Sequence, residues 1–366
     1  MATAPKRGTK FVEVGLREFW RDLREGFIDI TRGTTGGSII YVMGDYGGGK
    51  TFLCSYTREQ VRSLWDHGFA TSYIEVRSFD SLVDFVAIYR QIVKNIRAPT
   101  GDSGLEKILL SFVEQFPNRQ QLNQRIAQLN LEPDFAQKIR FLWTYAKRDE
   151  ERSITMRWIM GESGLQADLL HYIAEKGFAK LEEDEVDDYL TGIKRIIQDL
   201  GAEGLFIFID EAEQRTAQPD PTTVRRILVN IKRLHNNVNT DERYSQTIFL
   251  LAGTRDLWVA MNTQDEAMRQ RMQIQRDIPR LNKAEFVALG LKVARVYDIA
   301  FGCNASSRLS EDVLEGWVDH LTKGAIALTP RDFLTQKPTN RESFLAKLEL
   351  MRLQPELSAR NAFATT

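Results

Sequence analysis

Gly44-Asp45-Tyr46-Gly47-Gly48-Gly49-Lys50-Thr51 restricts the fold most, because it meets G-x-x-x-x-G-K-[ST] at every fixed position. Ahead of it lies Ser38-Ile39-Ile40-Tyr41-Val42-Met43, an apolar, β-rich run of strand length. Behind it, Thr51-Phe52-Leu53-Cys54-Ser55-Tyr56-Thr57-Arg58-Glu59-Gln60 reads as the opening of a helix. Strand, glycine turn and helix form a cradle for a triphosphate. Its glycines leave the backbone free to enter positive φ and to turn N–H groups toward phosphate oxygens. The helix start adds amide donors and the positive end of a dipole. In that cradle Lys50 reaches the β- and γ-phosphates and the Thr51 hydroxyl takes a Mg²⁺ position, with Gly44 through Phe52 around the nucleotide. The plain alternative is a glycine turn before an ordinary helix, and the two matching flanks disfavour it.

A second stretch complements the first. Gly204-Leu205-Phe206-Ile207-Phe208-Ile209 is apolar throughout, as a parallel strand covered on both faces must be, and it ends in Asp210 and Glu211. Open α/β sheets bind ligands at that end of their strands. Asp210 is placed to hold Mg²⁺, directly or through water, and Glu211 to polarise an attacking water as general base. An edge strand running into a polar loop is the competing reading. Gln246 to Thr254 forms another buried run with a polar tip, where Thr254 can orient the lytic water or touch the γ-phosphate. Thr71 to Val76 reads as a further strand and Ile278 with Leu281 as a short fifth. The expected fold is α/β, with a parallel five-stranded sheet.

The rest of the chain is mainly helical. Phe19, Trp20, Leu23, Phe27 and Ile28 mark an amphipathic helix between Val12 and about Thr31, behind a small, basic arm at 1–12. A helix is expected over Phe79 to Arg97. Residues 102–200 carry no strand signal, and their periodicity gives helices near Leu105–Phe116, Arg119–Leu129, Pro133–Arg148, Gly164–Gly177 and Asp187–Leu200. Residues 151–163 fit no pattern. The acidic run Glu182-Glu183-Asp184-Glu185 suits the N-terminal dipole of the helix it precedes better than a metal. Beyond the strands come helices near Thr222–Asn236, Leu257–Met272, Lys283–Phe301 and Ser310–Lys323. Another starts at Thr329-Pro330-Arg331, with threonine at the cap and proline in the first turn. A tail follows Leu353.

With 366 residues, 43% of them hydrophobic and 27% charged, the composition is that of a globular protein with room for more than one unit. No apolar run approaches a membrane span and no secretion signal stands at the N-terminus. Cys54 and Cys303 lie far apart, and this usage suits a reducing cytoplasm. His67, His171, His235 and His320 are scattered, without zinc-like spacing. The net charge of −1 neither favours nor excludes a polyanion partner.

In this order the motifs resemble those of AAA+ P-loop ATPases, particularly the origin-recognition/initiator-like branch. By that resemblance Lys50 and Thr51 match Walker A, Asp210 and Glu211 Walker B, Thr254 sensor 1 and Arg331 sensor 2. Arg269 or Arg271, or Arg276 just beyond, falls where the family places an arginine finger for a neighbouring subunit's nucleotide. A closer resemblance is to the ATP-binding proteins of BREX-type phage-defence systems. It rests on Gly44 through Leu53, the long helical insertion, the Gly201-Ala202-Glu203-Gly204-Leu205 approach and Pro330-Arg331-Asp332-Phe333-Leu334. It covers about residues 15–345, and the family pattern implies a longer C-terminal part than this chain has.

The resemblance implies an arm (1–12), a P-loop ATPase core (13–281) with its insertion at about 102–200, a helical lid (282–353) and a tail (354–366). It implies ATP and Mg²⁺, a homo-oligomer (ring or filament), DNA and other proteins of the same system as partners. Two functions follow: an ATPase whose turnover an arginine from the next subunit completes, or a nucleotide-gated scaffold that recruits a nuclease, methyltransferase or transposase. A P-loop kinase is disfavoured by the lid and by the long apolar strand before Asp210. Arg17, Arg21 and Arg24, and the helix bearing Arg225, Arg226, Lys232 and Arg233, are the basic candidates for DNA contact; the second group fits a ring's inner surface and a solvated face equally.

Overall fold

The computed structural model describes residues 9–31, 36–64, 67–75, 84–162, 181–210, 229–234, 236–238, 241–255, 259, 275–322, 328–335 and 343–353. Five strands build one sheet: β1 (Ser38–Met43), β2 (Ala70–Glu75), β3 (Leu205–Asp210), β4 (Thr247–Gly253) and β5 (Gln275–Asp277). Their order is β2-β3-β4-β1-β5, and every pairing is parallel. All strands therefore end at one edge, and β4 lies between the strand that feeds the glycine turn and the strand that ends in Asp210. The fifth strand falls at Gln275–Asp277, just ahead of Ile278; the Ile278 N–H continues the ladder by donating to the Met43 carbonyl at 2.8 Å.

Alternation along the strands gives the sheet two apolar faces. Ile40, Val42, Phe206, Phe208, Ile248 and Leu250 meet α1 (Arg17–Leu23), its π-helical continuation Arg24–Ile28, and α2 (Lys50–Val61). Ile39, Tyr41, Ile207, Ile209, Phe249 and Leu251 meet the opposite layer. That layer holds α3 (Phe85–Asn95), α4 (Leu105–Val113), α5 (Arg119–Gln128), α6 (Pro133–Tyr145), α7 (Asp149–Ile159) and α8 (Val186–Asp199). The insertion thus adds its apolar faces to the core of the sheet.

Helix α7 occupies residues that no periodicity marked. It buries Thr155, Met156, Trp158 and Ile159, while Asp149, Glu150 and Glu151 crowd its first turn. That acidic turn suits the helix dipole, but the interspersed charges blur the apolar stripe. The start of α3 is capped by the Asp84 carboxylate, which accepts from the amides of Val86 and Ala87; the expected start at Phe79 lies outside the described residues, as does the stretch 164–177.

The C-terminal helices α9 (Lys283–Phe301), α10 (Ala305–Arg308), α11 (Glu311–Thr322), α12 (Pro330–Thr335) and α13 (Phe344–Leu353) have a core of their own around Phe286, Leu314, Trp317, Phe333 and Leu348. Asn282 and Glu285 close a capping box at the start of α9. Among the described residues no helix is long and apolar enough to cross a membrane.

Candidate nucleotide site

The glycine turn leaves the sheet beside the end of β4. Met43 stands opposite Gly253, and the Gly44 N–H donates to the Gly253 carbonyl at 3.2 Å. Thr254 follows at once, half-buried next to the turn. Within the turn, Gly48 N–H donates to the Asp45 carbonyl at 2.9 Å, and Gly47 and Gly49 adopt φ of +79° and +99°. Only glycine takes such angles without strain. A Cβ on Gly48 would stand 3.0 Å from the Asp45 carbonyl oxygen, so the turn keeps its backbone bare.

Lys50 opens α2 and is 7% exposed, its Nζ donating to the carbonyls of Gly44 at 3.0 Å and Asp45 at 3.3 Å. Its ammonium is thereby folded into the turn. Thr51 and Phe52 are half-buried on the first helical turn.

Asp210 ends β3 with no exposed surface. It lies on the α2 side of the sheet, as the alternation from Phe206 and Phe208 requires. The Tyr73 hydroxyl, from the neighbouring edge strand, donates to Asp210 Oδ2 at 2.6 Å. Burial, then the Asp210 charge, push the Cys54 thiol up, while Arg58 and Lys50 pull it down. Cys54 thus feels both the lysine of the turn and the carboxylate of β3, which act on one small region. The two stretches that sequence spacing set far apart converge at the carboxyl edge of the sheet.

Arg331 also arrives there. Thr329 caps α12: its Oγ1 accepts from the Asp332 amide at 3.1 Å and donates to Asp332 Oδ2 at 2.7 Å. The Arg331 N–H donates to the Gly47 carbonyl at 3.4 Å, and its guanidinium lies 4.7 Å from the centroid of the Tyr46 ring. Between turn, β5 and the C-terminal helices opens a cleft of about 300 Å³, lined by Met43, Gly44, Gly48, Ile278, Leu281 and Leu328 among others. At its rim Arg280 pairs with Asp45 at 3.0 Å and Arg255 with Asp277 at 3.2 Å.

Glu211, Arg269 and Arg271 lie outside the described residues. Arg276 is exposed on β5 with its guanidinium 6.0 Å from the centre of the Phe27 ring. Arg233 is half-buried: it pairs with Asp187 at 3.4 Å, and its guanidinium lies 4.4 Å from the centre of the Phe85 ring. Sequence reasoning missed Tyr73, Arg255 and Arg280. No motif contains them, and only the β2–β3 register and the fold of the cleft bring them to the site.

The residues suit magnesium and a triphosphate. Among those described, no group of three or more His, Cys, Asp or Glu gathers for a metal. One carboxylate and one hydroxyl match Mg²⁺, which takes few protein ligands and fills its shell with phosphate oxygens and water. The bare backbone of the turn fits phosphate in the same way. A search of the curated proteins found none that matches the chain. The sequence model of the BREX system ATP-binding proteins BrxC/D matches residues 2–366, and the chain therefore belongs to this family of phage-defence ATP-binding proteins with a P-loop NTPase fold.

Proposed function

We propose that the chain hydrolyses the ATP it binds, as an AAA+ ATPase in an oligomer of its own copies acting on DNA with other proteins of its system. The observation that carries this reading is the convergence of Lys50, Asp210 and Arg331 on the carboxyl edge of the sheet. A mere binding turn has no need of a second strand's carboxylate and an arginine from a separate helical unit.

Each residue then has a task. Lys50, now donating to two carbonyls of its own turn, transfers those bonds to the β- and γ-phosphates. Thr51 and Asp210 hold Mg²⁺, which supplies Lewis-acid stabilisation of the charge on the phosphate oxygens when bound. Glu211 takes the proton of the attacking water and Thr254 orients it. Arg331 reads the phosphates from the lid (282–353), which it joins to the turn of the core (13–281). The cleft beside Ile278 and Leu281 admits the nucleoside. Arg269 or Arg271 completes the neighbour's site, because charge developing on the γ-phosphate is best met by a fixed guanidinium.

The test is to measure binding and turnover separately, with and without DNA. Lys50→Ala loses nucleotide binding. Arg269→Ala and Arg271→Ala bind ATP normally, and the variant lacking the true finger loses turnover by about 10³ or more. Parent-like hydrolysis by both single variants and the double variant would show that no such arginine acts in trans.

A further inference from the structure

We propose that Tyr73 is a positioning residue for the divalent cation: its hydroxyl fixes the rotamer in which Asp210 meets the metal. This rests on the reading of Asp210 as the carboxylate that holds Mg²⁺.

The register sets the geometry. β2 and β3 pair with Tyr73 opposite Phe208 and Glu75 opposite Asp210. Side chains 73, 208 and 210 therefore share the face covered by α2. Tyr73 leans along its strand toward the carboxyl edge, and its hydroxyl meets Oδ2 of the residue two places beyond its own partner, at 2.6 Å. Asp210 has no exposed surface, so its carboxylate depends on donors that the fold supplies, and the Tyr73 hydroxyl is one of them.

The tyrosine is itself held. The Arg58 guanidinium, from the helix that the phosphate-binding turn opens, lies 5.3 Å from the centroid of the Tyr73 ring. Arg58, Tyr73 and Asp210 thus form a chain from α2 through the edge strand to the end of β3. Groups that orient a metal's ligands in this way change its affinity by about 10- to 100-fold when removed.

The experiment titrates MgCl₂ against binding of a fluorescent ATP analogue to the full chain. Tyr73→Phe keeps the ring and its contact with Arg58 and removes only the hydroxyl. The expected result is a rise of about 10-fold or more in the Mg²⁺ needed for half-maximal binding. Analogue affinity in EDTA stays at the parent value, and high Mg²⁺ restores saturation. In an Asp210→Asn background, Tyr73→Phe produces no further rise. Mn²⁺ binding in the presence of ATP, read by electron paramagnetic resonance, provides a second measurement on the Tyr73→Phe chain alone. If Asp210→Asn shifts the Mg²⁺ requirement and Tyr73→Phe does not, the hydroxyl only satisfies a buried carboxylate and the inference is overturned. If Asp210→Asn leaves the requirement unchanged, the assignment of Asp210 falls and this inference with it.

Discussion

Arg331 lies with its guanidinium 4.7 Å from the centre of the Tyr46 ring, clasping the C-terminal helices to the tip of the phosphate-binding turn. Tyr46 is 68% exposed, so the ring offers its face to the arginine rather than to a core. A contact of this kind contributes about 0.5–1 kcal/mol at an exposed site. Tyr46→Phe should leave the clasp intact. Tyr46→Ala should raise hydrogen exchange at the Phe333 amide, in the first turns of α12, about 2- to 5-fold.

Gly47 and Gly49 both occupy left-handed backbone, yet their surroundings differ. A Cβ on Gly47 would stand 3.0 Å from both Arg331 Cβ and Thr329 Oγ1, whereas one on Gly49 meets nothing within 4 Å. Gly49→Ala should therefore cost only the backbone strain, on the order of 1 kcal/mol. Gly47→Ala should add displacement of α12. Thermal midpoints would fall in both variants, and faster amide exchange in α12 would appear in Gly47→Ala alone.

Arg233 should behave as a structural residue. Its carboxylate partner Asp187 also accepts from Asn237 at 2.8 Å and from the Tyr244 hydroxyl, so the arginine closes a buried network between α8 and the segment ahead of β4. Arg233→Ala should lower stability by about 1–3 kcal/mol, seen in urea unfolding. The slope of DNA affinity against salt should stay unchanged, because no phosphate contact is removed.

Lys194 offers a pH signature. It is buried, donating to the carbonyls of Arg243 at 2.7 Å and Ser245 at 2.6 Å, and burial followed by repulsion from Arg195 lowers its pKa from 10.5 to about 8. The folded lysine releases its proton before the unfolded one does. Between about pH 8 and pH 10.5 the unfolded chain binds more protons, so the parent gains stability relative to Lys194→Met as pH rises through that window. Below it the difference is flat. Urea midpoints of the two chains across this range are the check.

Local chemistry made much of this protein legible in its residues. The glycine turn, the apolar runs of β1, β3 and β4, and the Thr329-Pro330 helix start each depend on backbone angles, side-chain alternation or a cap a few residues away. They are therefore written in consecutive positions. The charged helix α7 and the short β5 were less legible, because interspersed charges blurred one apolar stripe and three residues are too few to show a period.

Other features had no local trace. That β4 separates β1 from β3, that Tyr73 reaches Asp210 across 137 positions, and that Arg331 rests on Tyr46 depend on chain closure and on the packing of whole layers. Arg233 looks like a surface charge in its own helix and is half-buried because Asp187 and Phe85 meet it there. Residue types set which short elements could form. The burial of both sheet faces set their order, and with it the partners that each polar group found at the edge.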